Sequence, residues 1–148
     1  MIKIKEIIAK QTFALRIEIL RDGIATNYRF DADDTASSFH LGAFDGTNCV
    51  GIVTFIKQSK RVLKAEKSYQ LRGMAVAVSH QKKGIGAKLI ERSYPMLKER
   101  NADLLWCNAR ELAVEFYKKN GFKIYGDSFE IPHIGKHYIM YKLLKTNN

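Results

Sequence analysis

An apolar run, Met74-Ala75-Val76-Ala77-Val78, is joined within a few residues to a helix-patterned stretch by Gln81-Lys82-Lys83-Gly84-Ile85-Gly86. That junction constrains the chain more than any other segment, because it demands a strand that turns sharply and feeds straight into a helix. Glycines at 84 and 86 remove side chains where the backbone must bend or a ligand must come close. The first N–H groups of the helix have no intrahelical acceptor and can donate to anion oxygens, while Lys82 and Lys83 add positive potential. On the residues alone, a tight structural turn and a diphosphate cradle both stand. Two other phosphate patterns fail: the run does not read G-x-x-x-x-G-K-[ST], and Leu89 occupies the place where a dinucleotide fingerprint needs its last glycine.

The other elements follow from periodicity and turn residues. Ile2 to Ile8 suggests a first strand, and Phe13, Ile17 and Leu20 recur at helical spacing over Lys10–Arg21. Asp22–Ser38 reads as a loop, and its Asp31, Asp33 and Asp34 lack the further ligands and terminal glutamate of a calcium loop. A solvated acidic loop, with no metal, is the expectation there. A hairpin is predicted from His40–Phe44 and Cys49–Lys57 about the turn Asp45-Gly46-Thr47-Asn48. Tyr69, Leu71 and Val76 to Val78 mark a central strand, and Gly84–Arg100 a helix containing Pro95, which can kink it. Leu104–Cys107 reads as a short buried strand. Asn108 and Glu111 have capping-box spacing for a helix over Ala109–Asn120, which Asn120-Gly121 would stop. Phe122–Tyr125 and Tyr138–Leu144 read as strands around a loop near Pro132. Strand, helix, strand, helix, strand in this half implies a mixed sheet with at least one parallel pair.

With 148 residues and no internal repeat, the expectation is one α/β domain over 1–148. The net charge of +10 is lopsided: residues 1–50 carry 6 basic and 7 acidic side chains, residues 51–148 carry 19 and 8. Such a field can draw a phosphorylated ligand or an acidic macromolecule. No base-reading helix, zinc finger or aromatic RNA-binding motif is present, so no specific nucleic-acid partner is expected. Met1-Ile2-Lys3-Ile4-Lys5-Glu6 alternates charged and apolar residues, unlike a secretion signal, and no run approaches the roughly 20 apolar residues of a membrane span. Cys49 and Cys107 have neither disulfide-framework nor metal-ligand spacing. A cytoplasmic protein without a membrane partner is expected, and a homodimer is compatible with this.

Gln81–Gly86 matches the pattern [QR]-x-x-G-x-[GA], and Asn108-Ala109-Arg110, Phe116-Tyr117 and Asn120-Gly121-Phe122 follow it in order. On these residues the chain resembles the GCN5-related N-acetyltransferase (GNAT) superfamily. Leu71-Arg72-Gly73-Met74-Ala75-Val76, Trp106–Arg110, and Phe129-x-Ile131 with Ile134 and His137 are similar to a small bacterial acetyltransferase subgroup. The resemblance implies a single GNAT-like α/β domain, with a central mixed, mostly antiparallel sheet flanked by helices and a V-shaped opening between two parallel strands. It also implies acetyl-CoA as cosubstrate. Gln81, Lys82, Lys83, Gly84, Ile85 and Gly86 would hold its pyrophosphate, Met74, Ala75 and Val76 would pair with the amides of its pantetheine arm, and Asn108 would lie beside it.

Acetyl transfer to an amine needs a neutral nucleophile, a stabilised oxyanion and a proton for the departing thiolate. By placement in the family pattern, Tyr117 is the expected proton donor; packing on an amphipathic helix is its other reading, with Phe116 the plainer core candidate. His137 is the preferred acceptor-side base, ahead of Glu66, Glu130 and His133; a structural hydrogen-bonding role for it stands at least equally, and a water chain can make any single base dispensable. Cys107 reads as a core or pocket thiol, since no neighbouring base activates it. Arg72 can orient an acidic substituent of the acceptor or pair with a carboxylate of the fold. The leading function is therefore N-acetyl transfer to a small-molecule amine, or else a peptide amine. A non-catalytic CoA-binding module is the alternative, and a nucleic-acid-binding protein the third.

Overall fold

A computed structural model describes residues 1–144, which pack as two compact units. The first comprises Met1–Lys57 and Leu71–Met96, the second Gln58–Gln70 and the chain from Leu97 onward. The strands are β1 (Ile2–Ile7), β2 (Phe39–Asp45), β3 (Asn48–Lys57), β4 (Ser68–Val76), β5 (Leu104–Arg110), β6 (Lys123–Ile131) and β7 (Gly135–Leu143). The helices are α1 (Phe13–Leu15), α2 (Ile85–Glu99) and α3 (Val114–Lys119).

In the first unit, β1, β2 and β3 pair antiparallel. The predicted hairpin closes at Asp45↔Asn48, with Gly46 at φ +62°, a conformation that glycine adopts without the penalty of a Cβ. The register slips between Ala43 and Phe44, and the partners pass from Gly51 to Cys49. Val50 is thereby left as the extra residue of a bulge, and its carbonyl accepts from Ala77 N–H at 2.8 Å, just past β4. The predicted first helix is a succession of short pieces: a 3-10 turn at Ala9–Thr12, then α1, then a π turn at Arg16–Leu20. Ile7, Leu15, Phe44, Ile52 and Ala75 form an apolar core, and Phe39 stacks on Phe55 at 4.8 Å between ring centroids.

The acidic loop is not merely solvated. Asp33 is buried and takes a bidentate pair from Arg16, at 2.7 Å to Nη1 and 2.9 Å to Nη2, while Asp31 and Asp34 stay exposed. A buried guanidinium needs such a partner, because an unpaired charge away from water is costly. Nothing in local spacing signals a pairing across 17 residues. No group of three or more metal-ligating side chains occurs among the described residues.

In the second unit the start of β4 runs parallel to β5, with three register pairs ending at Gln70↔Trp106. The antiparallel β5–β7 and β7–β6 pairings complete this part of the sheet. The chain thus forms the expected mixed, mostly antiparallel α/β sheet with its helices. β5 is longer than the sequence suggests. Leu104–Cys107 is buried throughout, whereas Asn108 and Arg110 are exposed and alternate with buried Ala109. Only the first half shows the continuous apolar run of a strand covered on both faces.

That extension corrects two expectations. Asn108 pairs in register with Ile139 inside the β5–β7 ladder, so it does not cap a helix. The next helical residues begin at Glu111, after Arg110, and α3 proper begins only at Val114. Cross-strand pairing outweighs one local capping box. Likewise β4 ends at Val76, and Val78 belongs to a 3-10 turn with Ser79 and His80. No helix among the described residues is long and apolar enough to cross a membrane.

Candidate active site

In the first unit the strand-to-helix junction is held from three sides. Gln81 Nε2 donates to the Val76 carbonyl at 2.9 Å and so ties the turn back to the end of β4. His80 bridges Ser79 Oγ, 2.7 Å from Nδ1, and Asp45 Oδ2, 2.9 Å from Nε2. The Asp45 pairing pins the junction to the tip of the β2–β3 hairpin, and the hydrogen bond from His80 holds the Asp45 carboxyl below its ordinary value. Ile85, 2% exposed, anchors the first turn of α2 on β3, where a Cβ on Gly51 would come within 2.9 Å of Ile85 Cγ2. Glycine at 51 is what lets the helix start approach the strand so closely.

Between these anchors the backbone is exposed and left-handed, with Lys82 at φ +62° and Gly84 at φ +80°. A Cβ on Gly84 would meet nothing within 4 Å, so close packing does not require glycine there. Its carbonyl accepts from Lys88 N–H at 3.1 Å and begins the α2 ladder. The N–H groups preceding that bond are the ones an α-helix leaves without intrahelical partners. Lys82 and Lys83 are exposed beside them. On β4, Ala75 is buried while Met74 and Val76 are half-buried, and the Val76 carbonyl is already taken by Gln81.

In the second unit the termination of α3 fixes Tyr117. Phe122 N–H donates to the Tyr117 carbonyl and Gly121 N–H to that of Lys118, both at 3.0 Å. With Gly121 at φ +91°, this is a Schellman stop, and the Tyr117 and Phe122 rings supply its apolar contact at 5.3 Å. The Asn120-Gly121 signal was thus legible, and the stop it marks orients the Tyr117 side chain. Contrary to expectation, Tyr117 is the buried aromatic of the pair and Phe116 the half-buried one.

The Tyr117 hydroxyl on α3 and the Cys107 thiol on β5 are neighbours, each acting on the other's proton affinity. Burial, with the Cys107 sulfur next in importance, pushes the Tyr117 pKa well above 10.0. Burial raises the Cys107 thiol in the same way, outweighing the opposite influence of the neighbouring Tyr117 hydroxyl. Both groups are therefore protonated at neutral pH. Cys107 is no ready thiolate, and Tyr117 keeps the proton that an acid must carry.

His137 on β7 is 4% exposed and lies opposite Arg110 in the β5–β7 register. Its Nδ1 sits 2.8 Å from the Gly135 carbonyl, and its ring is 5.9 Å from that of Phe129. A carbonyl only accepts, so Nδ1 carries the proton and, in the neutral ring, Nε2 holds the lone pair. Glu66, Glu130 and His133 are exposed. The first unit thus assembles Met74–Val76 with Gln81–Gly86, and the second assembles Asn108, Tyr117 and His137 on β5, α3 and β7.

A family model described as "Acetyltransferase (GNAT) family" matches residues 4–122. A protein of Bacillus subtilis (strain 168), described as an uncharacterized N-acetyltransferase, YitI, is 35% identical over 148 residues, covering 99% of each chain. The chain belongs to the GNAT acetyltransferase family. Its fold is shared with an aminoglycoside 6'-N-acetyltransferase solved in complex with coenzyme A, at TM-score 0.80 and 16% identity over 99% of both chains. A putative N-acetyltransferase from Lactobacillus plantarum superposes at TM-score 0.79 and 16% identity, over 97% of this chain and 99% of its own.

Sequence reasoning missed the neighbours of this GNAT chain's candidate site elements: Asp45 for His80, 35 residues away, and Cys107 for Tyr117. Each joins a turn or helix residue to a strand far from it in sequence, which only tertiary packing brings together. Cys107 carried one faint signal, its place in an otherwise apolar strand run, which told of burial but not of its hydroxyl partner.

Proposed function

We propose that this protein is an acetyl-CoA-dependent N-acetyltransferase, one domain over residues 1–148, that passes the acetyl group directly to a primary amine of a small molecule in the cytoplasm. The observation that carries the reading is Gly84, which opens α2 at φ +80° with open space where a Cβ would stand. A backbone so exposed at a helix start suits a ligand that closes on the N–H groups themselves, as a pyrophosphate does. Gln81–Gly86 would take the pyrophosphate. Met74–Val76 would face the pantetheine amides with the groups other than the Val76 carbonyl, in the V-shaped opening that the family resemblance implies, with Asn108 alongside.

The chemistry follows from the protonation states. The amine nitrogen attacks the thioester carbonyl, the C–S bond breaks, and the CoA thiolate takes its proton from the Tyr117 hydroxyl. The new amide nitrogen loses a proton to solvent or to the Nε2 lone pair of His137, and Tyr117 is reprotonated from solvent. A tyrosine with a raised pKa still holds its proton at neutral pH, so a proton is present to be donated as charge develops on the sulfur. The aminoglycoside acceptor named for one fold neighbour is one member of the amine class to be tried.

The test is thiol release from acetyl-CoA across small amines, amino acids, polyamines and peptides, with product mass confirming the acetylated amine. Amine-dependent release with a matching product is expected. Tight CoA binding without release for any amine would instead make the chain a CoA-binding module.

A further inference from the structure

Around Arg72 the first unit gathers cations and aromatic rings. Phe30 lies at the centre, with the Arg16 guanidinium 3.8 Å and the Arg72 guanidinium 4.1 Å from its ring centroid. Phe13 and Tyr28 meet edge to face at 5.2 Å, and Arg29 lies over both rings, at 5.4 and 5.6 Å.

The two guanidiniums on Phe30 differ in one respect. Arg16 is 1% exposed and spends four hydrogen bonds on the Tyr28 carbonyl, both Asp33 oxygens and Thr54 Oγ1. Asp33 also accepts from Phe30 N–H at 2.9 Å, so that carboxylate is committed. Arg72 is exposed and makes no ion pair among the described residues; its partner is the Phe30 ring. Excess positive charge is thus concentrated where a side chain is already stacked and oriented.

The packing at Gly73 separates the two guanidiniums further. Arg16 Nε is buried without a hydrogen-bond partner, and it lies beside Gly73, 3.5 Å from where a Cβ on that residue would stand. Gly73 itself, at φ +65°, leaves no room for such a Cβ, which would fall 2.9 Å from Phe30 Cε2. Arg16 Nε is thus closed off behind Gly73 and the Phe30 ring, and Arg72 is the guanidinium of the two that stays open at this point of β4. Arg72 precedes Met74 by two residues, roughly 7 Å of strand.

We propose that the acetyl acceptor is an amine that also bears a carboxylate, and that Arg72 is the specificity-determining residue that grips this carboxylate. The inference rests on the acetyl-transfer reading, in which Met74–Val76 line the acetyl-bearing arm. A planar guanidinium presents paired donors matching the two carboxylate oxygens, and stacking on Phe30 removes part of the entropy cost of ordering the side chain. An acceptor with amine and carboxylate a few bonds apart spans the distance from Arg72 to that arm. A polyamine would bring more positive charge to a site already crowded with it.

The test uses matched amines that differ only in the carboxylate: lysine and cadaverine, ornithine and putrescine, tyrosine and tyramine. In at least one pair, kcat/KM should favour the carboxylated amine by tenfold or more. Arg72→Gln should abolish that preference by raising the acceptor KM, leave the KM for acetyl-CoA unchanged and retain the thermal midpoint, and Arg72→Lys should restore part of it. Equal kcat/KM within every pair, a preference for the diamines, or a preference that survives Arg72→Gln would overturn the proposal. Calorimetric binding of the carboxylated amines to the CoA-loaded protein is measured alongside. Binding that Arg72→Gln removes upholds the carboxylate site even where no amine is acetylated, an outcome that counts against acetyl transfer alone; absence of binding together with absence of transfer defeats both.

Discussion

Tyr117 and Phe122 hold each other twice, once through the Phe122 N–H bond to the Tyr117 carbonyl at 3.0 Å and once through their rings at 5.3 Å. The helix stop and the orientation of the proposed acid are therefore the same piece of structure. Tyr117→Phe keeps the ring contact and deletes only the hydroxyl. Turnover should fall by about 10²–10⁴-fold, the usual range for losing a general acid, with CoA affinity unchanged. Gly121→Ala is the complementary change, since it disturbs the stop and keeps the hydroxyl. A non-glycine residue at φ +91° costs roughly 1–2 kcal/mol, so the melting midpoint should drop and turnover with it. Full turnover by Tyr117→Phe would remove the acid role.

Gly84 offers a test in which backbone strain and ligand charge separate. At φ +80° any side chain is strained, but Asn and Asp tolerate left-handed backbone better than other residues and differ from each other by charge. With open space beyond the Cβ, Gly84→Asn should retain most of its CoA affinity. Gly84→Asp, which sets a carboxylate against the pyrophosphate, should bind at least about tenfold more weakly, a difference of roughly 1.4 kcal/mol. Calorimetric titration with CoA reads both. Equal affinity of the two variants would mean that no anion sits at this turn.

The pair Tyr117 and Cys107 also sets a pH dependence. Burial raises both groups above their ordinary values of 10.0 and 9.0, so they stay protonated in the fold after the unfolded chain has begun to ionise. The folded state then binds more protons than the unfolded state. Their contribution to stability is whole below about pH 8.5 and is lost as pH rises, by up to about 1.4 kcal/mol per pH unit for each group. Urea midpoints between pH 8 and 10.5 should decline, and Cys107→Ala should decline less steeply than the parent. Parallel slopes would show that the thiol is not shielded.

What the sequence made legible was whatever depends on near neighbours. The hairpin about Asp45-Gly46, the strand-to-helix junction at Gln81–Gly86 and the stop at Asn120-Gly121 are all set by the backbone freedom of a glycine and by residues within a turn of it. The failures share an opposite cause. Asn108 looked like a cap because Glu111 stood three residues on, yet its place was decided by Ile139 across the ladder. Asp33 looked solvated because its neighbours are polar, yet Arg16 reaches it from 17 residues away. Tyr117 was picked out through its family pattern, while the burial that keeps it protonated depends on the packing of α3 and β5.

The Arg16–Asp33 pair yields the clearest stability prediction. Burial alone would raise the Asp33 pKa, but the Arg16 hydrogen bonds, the Phe30 N–H and the charges of Arg16 and His40 together bring it below 3.8. A depressed carboxyl contributes stability that is present above its unfolded value and lost as pH falls through the folded one. Asp33→Asn keeps the shape, removes the charge and strands a buried guanidinium. The cost should be about 3–5 kcal/mol, enough to lower the melting midpoint by roughly 10 °C at neutral pH. The variant should also lose the parent's added acid sensitivity below about pH 4. Replacing both partners, as Arg16→Met with Asp33→Leu, should cost less than Asp33→Asn alone, since no charge is then left unpaired. Thermal melts of the three proteins at pH 7 and pH 3.5 measure both effects, and a double variant weaker than the single one would mean that the pair's hydrogen bonds to Tyr28, Phe30 and Thr54 outweigh its charges.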